Sequence, residues 1–250
     1  MTKRSSFQLL RTVIAHRRSH VSDLILAVVL AFVAGAINAG GFLAIGQYTS
    51  HMTGYLSIMA DHIALGSLTV AAIAFLAIMS FIAGAATSAI LINWARGHSR
   101  QLQYAHPIAL EGVLLLALGL LGALSKPTPL FLTLAAPLLC YVMGLQNAII
   151  TKLSGSRLRT THVTGMMTDI GIEMGKMLYW NRGTLTASHQ RVVANMNKLR
   201  LLLQIVGAFF IGGVIGALGF GIIGYSFCVP LALILFLFSL PQLVYRYNQP

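Results

Sequence analysis

Two short polar blocks of matching type interrupt an otherwise apolar chain: Ser50-His51-Met52-Thr53-Gly54 and Thr161-His162-Val163-Thr164-Gly165. Each offers a hydroxyl, an imidazole, a second hydroxyl and a glycine. A helix that starts at such a block exposes unpaired backbone N–H groups and the positive end of its dipole. Ser50 and Thr161 suit the N-cap, and Thr53 and Thr164 add hydroxyls in the first turn. Gly54 and Gly165 admit a solute or a second backbone. Together these groups suit an anion or a polar solute. His51 and His162 change charge between roughly pH 5 and 8, so a proton-linked step lies within their chemistry. The bland alternative is that all these side chains only satisfy backbone where the chain breaks inside a membrane.

Each block has polar company on both sides. Upstream stand Asn38, in Gly35-Ala36-Ile37-Asn38-Ala39, and Asn147, in Gly144-Leu145-Gln146-Asn147-Ala148. A buried amide needs partners, so the two asparagines either line a shared cavity or bond between helices. The glycines after Asn38 suggest a broken or kinked helix. Downstream lie Asp61 in the first half and Asp169 and Glu173 in the second. Carboxylates within apolar segments are costly unless paired, protonated or wet. Asp169 and Glu173 are four apart and share one helix face. The three acids are candidates for a proton or ion relay. The bland reading places Asp61 at an outer helix end and pairs Glu173 with Lys176 at the interface. Glu111, shortly after Pro107, reads as an acid in the opening turns of its helix.

The elements that must position these residues are membrane helices. The chain has 250 residues, 57% hydrophobic and 9% charged, against about 25% charged in a soluble domain. Apolar runs at Leu24–Ile45, Leu68–Ala95, Ile108–Leu124, Leu130–Ile150, Leu201–Ile223 and Phe227–Val244 each approach the roughly 20 residues a spanning helix needs. The net charge of +12 comes from basic residues between these runs and at the ends, which is a loop distribution and argues against nucleic-acid binding. Residues 1–22 read as a basic cytoplasmic arm touching anionic lipid, before an uncleaved first span. Cys140 and Cys228 fall inside spans, which argues against a disulfide framework. No metal-ligand spacing, nucleotide loop, serine elbow or cofactor motif is present.

The order G-x-x-N, H-x-T-G, acid occurs twice, which indicates a repeat over residues 23–126 and 127–250. Each half reads as span, short H-x-T-G helix, span, span, with short helices near Ser50–Leu65 and Thr161–Trp180. With the N-terminus inside, two crossing short helices would put Arg96, Arg100, Lys152, Arg157 and Arg159 outside. Two re-entrant ones leave only Lys126 outside and the other 16 of 17 basic residues inside. The expectation is therefore an all-α inverted repeat of three plus three spans with two re-entrant helices, both termini cytoplasmic. Gly212-Gly213-x-x-Gly216-x-x-Gly219 marks close helix packing, within the chain or between protomers. Trp94, Trp180 and Tyr245 read as belt aromatics.

The segments Gly41-Phe42-Leu43-Ala44-Ile45-Gly46 with Ser50–Gly54, and Gly144–Ala148 with Thr161–Gly165 and Asp169, resemble the bacterial YoaK-like family, also called domain of unknown function 1275. The resemblance covers nearly the whole chain beyond the N-terminal arm. It implies a small multi-spanning membrane protein. That family often carries an acid where Asn38 stands and Asn where Tyr55 stands. If those positions touch solute or proton, this member has altered selectivity or coupling.

Three functions compete. The first is a transporter or channel for a small anion or polar metabolite, binding between the two H-x-T-G helices. The second is a membrane-embedded enzyme of small-molecule or lipid metabolism, weakened by the lack of a nucleophile or metal set. The third is a membrane scaffold or assembly factor. The expected setting is a bacterial inner membrane, with lipids, a small solute or ion and a second copy of the chain as partners.

Overall fold

The computed structural model describes residues 20–98, 103–124, 129–153, 161–180 and 192–247. Most of the basic arm and Lys126, where the two halves were expected to meet, lie outside these residues. The described helices are α1 (His20–Ile45), α2 (Met52–Ala64), α3 (Leu68–His98), α4 (Ala105–Leu124), α5 (Pro129–Leu153), α6 (Val163–Leu178), α7 (Met196–Ile223) and α8 (Cys228–Tyr247). No strand occurs among the described residues.

Five stretches are long and apolar enough to cross a membrane: Asp23–Leu43, Leu68–Gly97, Ala105–Leu124, Thr133–Leu153 and Met196–Leu240. The last is two helices, α7 and α8, joined by a 3-10 turn at Gly224–Phe227. Gly224 has φ +58° there, a left-handed conformation that favours glycine. Large apolar side chains such as Phe75, Met79, Ile90, Phe210, Val214 and Ile222 face outward from α3 and α7. Water would not tolerate so broad an apolar surface, whereas lipid does.

The core forms where helices cross at glycines. A Cβ on Gly35 of α1 would strike the Phe209 carbonyl of α7, and one on Gly212 of α7 would strike the Phe32 carbonyl of α1. The same exchange recurs elsewhere: Gly144 of α5 sits on the Phe81 carbonyl of α3, and Gly84 of α3 sits on the Tyr141 carbonyl of α5. Small residues let backbones approach this closely. The glycine-rich run of α7 thus packs within the chain, with Gly212 on Phe32 and Gly216 on Ala36.

These contacts fix relative directions. Phe32 meets Gly212, Ala36 meets Gly216 and Gly40 meets Phe220, so α1 and α7 run the same way. Gly112 meets Phe236, Gly119 meets Val229 and Gly122 meets Tyr225, so α4 and α8 run opposite ways.

The expected break in α1 after Asn38 is absent, because the helix continues to Ile45. Its glycines serve packing instead: Gly40 faces the Phe220 ring and Gly41 the Thr49 methyl.

Candidate functional site

Both polar blocks start a short helix, and both are tied to the long helix before them by an asparagine. Asn38 Oδ1 accepts from Ser50 N–H at 3.1 Å and from Ser50 Oγ–H at 2.9 Å. Asn147 Oδ1 accepts from the Thr161 hydroxyl at 2.8 Å, while its Nδ2 donates to the Met143 carbonyl at 2.8 Å. The recurring amides and hydroxyls are thus partners of one another in each half.

This pairing corrects the expected caps. α2 and α6 start at Met52 and Val163, with His51 and His162 in the N-cap positions and no side-chain capping bond at either. Ser50 and Thr161 do not cap, because their hydroxyls are committed to the asparagines. The N-cap backbones match, at φ −89°, ψ 67° for His51 and φ −83°, ψ 54° for His162.

The histidines and glycines of the blocks are also coupled. A Cβ on Gly54 would meet His51 Nδ1, and one on Gly165 would meet His162 Nδ1. Each imidazole lies over its glycine and remains exposed, as do Thr53 and Thr164. A cavity of about 150 Å³ opens beside His51, lined by Gly46, Gln47, Tyr48, Gly54, Tyr55 and Ile58 as well. Tyr55 itself is buried, with its hydroxyl 3.8 Å from Cys140 Sγ. The loop that would form the equivalent cavity wall near His162 lies largely outside the described residues.

The bodies of the short helices seat on the glycine crossings. Tyr55 of α2 clusters with Ala74 and Ala77 of α3 and Cys140 of α5. Met166 and Ile170 of α6 cluster with Leu202 and Ile205 of α7 and Ala31 of α1. α2 and α6 make no contact with each other. The two H-x-T-G starts are therefore brought to equivalent crossings and not against one another.

Of the three candidate relay acids, Asp61 stands apart, while Asp169 and Glu173 both face the start of α7. Asp61 is exposed near the end of α2. Asp169 forms an ion pair with Lys198 of α7 at 3.2 Å. Glu173 is buried, 2.9 Å from Lys176 Nζ and accepting from the Asn195 N–H at 2.7 Å. The Asn195 backbone bond first, then the Lys176 ammonium, holds the Glu173 carboxyl below the ordinary glutamate range. Trp94 and Trp180 are exposed, with Trp94 edge-on to His106. The side chain of Tyr245 is outside the description.

Sequence reasoning passed over two residues. α4 starts at Ala105, so Glu111 lies in its second turn, within the opening turns as expected. Glu111 is fully buried and accepts from Gln146 Nε2 at 2.8 Å. A carboxyl inside the apolar run Ile108–Leu124 was the available signal. Gln146 stood beside Asn147 in the recurring motif, but its equivalent in the first half is Ile37, so repetition did not select it.

Long apolar helices crossing at glycines, with polar starts to two shorter ones, define a polytopic integral membrane protein. The chain belongs to the family described as Protein of unknown function (DUF1275), whose model matches residues 26–240. No curated protein and no solved structure matches the chain.

Proposed function

We propose that this protein is a transporter or channel for a small anion or polar metabolite, built as an inverted repeat with two re-entrant helices. It sits in a bacterial inner membrane with both termini in the cytoplasm. Helix direction carries the architectural part. Suppose the six long helices all cross. If both short helices also crossed, α4 and α8 would run in parallel. If only one crossed, α1 and α7 would run oppositely. The return of both short helices to their side of entry agrees with the glycine contacts and supports this reading.

Length supports the same reading. At about 1.5 Å per residue, α2 and α6 reach roughly 20 and 24 Å, short of the roughly 30 Å hydrocarbon layer. Asn38 lies five residues before the end of its apolar stretch at Leu43, and Asn147 six before Leu153. The tethers thus hold the short-helix starts roughly 7–9 Å inside the ends of those stretches. Irregular backbone at that depth is tolerated where it lines a cavity.

The solute site is the start of the short helices, beginning with the cavity beside His51. At about 150 Å³ it has room for a few water-sized groups, each taking about 30 Å³ in the liquid. Backbone N–H groups, the His51 imidazole and the Gln47 amide give polar recognition, while Tyr55 and Ile58 set the size. The second start, at His162, serves the opposite face of the membrane.

The test is flux. Purified full-length protein in liposomes should move small anions or polar metabolites from a defined mixture, and the His51→Ala/His162→Ala double variant should slow that movement at least tenfold. Undiminished flux in a folded double variant would remove the proposed site.

A further inference from the structure

The interior of α4 and α5 holds a pair of polar side chains that the solute site does not use. Glu111 and Gln146 are both fully buried. Gln146 Nε2 donates to Glu111 Oε1 at 2.8 Å. Glu111 Oε2 and Gln146 Oε1 are also buried, and neither has a partner. An ionised carboxylate has only acceptors, and the amide oxygen is another acceptor. Two unsatisfied acceptors in an apolar interior are costly. A proton on Glu111 removes the charge and turns one of the two into a donor.

No cation compensates the carboxyl among the described residues, whose ion pairs join Lys176 to Glu173 and Lys198 to Asp169. The elements packed on α4 offer few titratable groups. α3 brings Arg96, which is exposed and bonded to Gln103. α5 brings Cys140, Tyr141, whose hydroxyl donates to Thr87, and the exposed Lys152. The 3-10 turn brings Tyr225. Residues 228–240 of α8 bring only Cys228, with Phe236 covering Gly112. On α4 itself His106 lies five residues before Glu111, its Nδ1 buried and without partner.

The depth of the pair also matters. Glu111 is six residues beyond the start of α4 and Gln146 seven before the end of α5. Each lies roughly 9–10 Å in from its helix end. In the proposed topology both ends face the cytoplasm. Gln146 directly precedes Asn147, so one turn of α5 carries both this pair and the tether to the second short helix.

We infer that Glu111 and Gln146 form a buried proton-binding site that couples proton movement to the solute cycle. Glu111 is neutral in the conformation described. It gives up its proton when the neighbouring helices admit water from the cytoplasmic side, and takes one back before they close. The coupling role rests on the transport reading; the proton site does not.

Infrared pH-difference spectra of the full-length protein in lipid test the site directly. The expected result is a protonated-carboxyl band that titrates well above the range of exposed carboxylates. It should vanish in Glu111→Gln, an isosteric change, and persist in Glu173→Gln and Asp61→Asn. Gln146→Leu should raise the midpoint, because the ionised form loses its one donor. Absence of the band, its persistence at every pH at which the protein stays folded, or an unmoved midpoint in Gln146→Leu would overturn the site. In liposomes, Glu111→Gln should still exchange solute but lose any response to an imposed pH gradient. Gradient-driven flux in that variant would overturn the coupling and leave transport standing. A titrating band in a protein that moves no solute would uphold the proton site and dismiss the transport reading.

Discussion

Asn147 Oδ1 receives the Thr161 hydroxyl at 2.8 Å, across a chain separation of 14 residues. The bond joins the inner part of a long helix to the start of a short one, as Asn38 does with Ser50. The two amides differ in what else they do. Asn147 also donates from Nδ2 to the Met143 carbonyl, whereas both bonds at Asn38 are accepted by Oδ1.

Substitution should expose that difference. Asn147→Ala loses two side-chain bonds and leaves the Thr161 hydroxyl unpaired, at a cost of about 1–3 kcal/mol. Amides at the start of α6 should then exchange faster with deuterium. Asn38→Asp keeps an acceptor for both Ser50 donors and should cost less stability than Asn147→Ala. Asn147→Asp forfeits the donor to Met143 and should be measurably less stable than Asn38→Asp in detergent melts.

The membrane class and the positions of the long helices were legible because hydropathy and length report them directly. The recurring blocks were legible as composition, and they do start the short helices. What the blocks bond to was not legible. Ser50 looks like a cap in sequence, and only the return of the chain onto α1 shows its hydroxyl taken by Asn38. Glu111 does lie in the opening turns of α4, but its full burial and its bond from Gln146 depend on how α5 packs there, which no local pattern displays. The function of Gly35, Gly84, Gly144 and Gly212 was legible only for the last. The others lack a local glycine cluster, and a crossing depends on two distant segments.

Those crossings make a second prediction. Alanine at Gly35, Gly84, Gly144 or Gly212 places a methyl against a partner-helix carbonyl, and overpacking of this kind costs about 1–3 kcal/mol. Gly171, Gly175, Gly207 and Gly221 have open space where a Cβ would sit. Alanine there should be neutral or stabilising by up to about 1 kcal/mol through helix propensity. Thermal unfolding of the eight single variants in one detergent should separate them into two groups, and overlapping groups would count against the crossings.

Glu173 links α6 to the residue that caps α7. Its carboxyl is held below the ordinary glutamate range, chiefly by the Asn195 N–H. The unfolded chain therefore binds this proton more readily than the folded one. The stabilisation is full above the ordinary glutamate value, near roughly 4.3, and is lost as pH falls through the lower folded value. Melting temperature should drop on that acid limb in the wild type. In Glu173→Gln the drop should be shallower, because the amide still accepts from Asn195 but cannot titrate. Parallel acid limbs in the two proteins would show that the carboxyl adds nothing there.

The fourth prediction concerns sidedness, which helix directions and the distribution of basic residues both bear on. The glycine contacts among α1, α4, α7 and α8 set helix directions independently of charge. The placement of Lys and Arg between the apolar runs is independent of packing. Both require Arg96, in the last turn of α3, and Lys152, at the end of α5, to share the side of the N-terminus, and Ser67, between α2 and α3, to lie on the other. In a Cys140→Ala/Cys228→Ala background, single cysteines at Arg96 and Lys152 should react with an impermeant thiol reagent only from the cytoplasmic face. One at Ser67 should react only from outside. With crossing short helices all three assignments reverse, because Ser67 then follows a second crossing, Arg96 a third and Lys152 a fifth. Reversal at Arg96 and Lys152 would remove the oppositely oriented halves, and with them the reason to seek one solute site at each short-helix start.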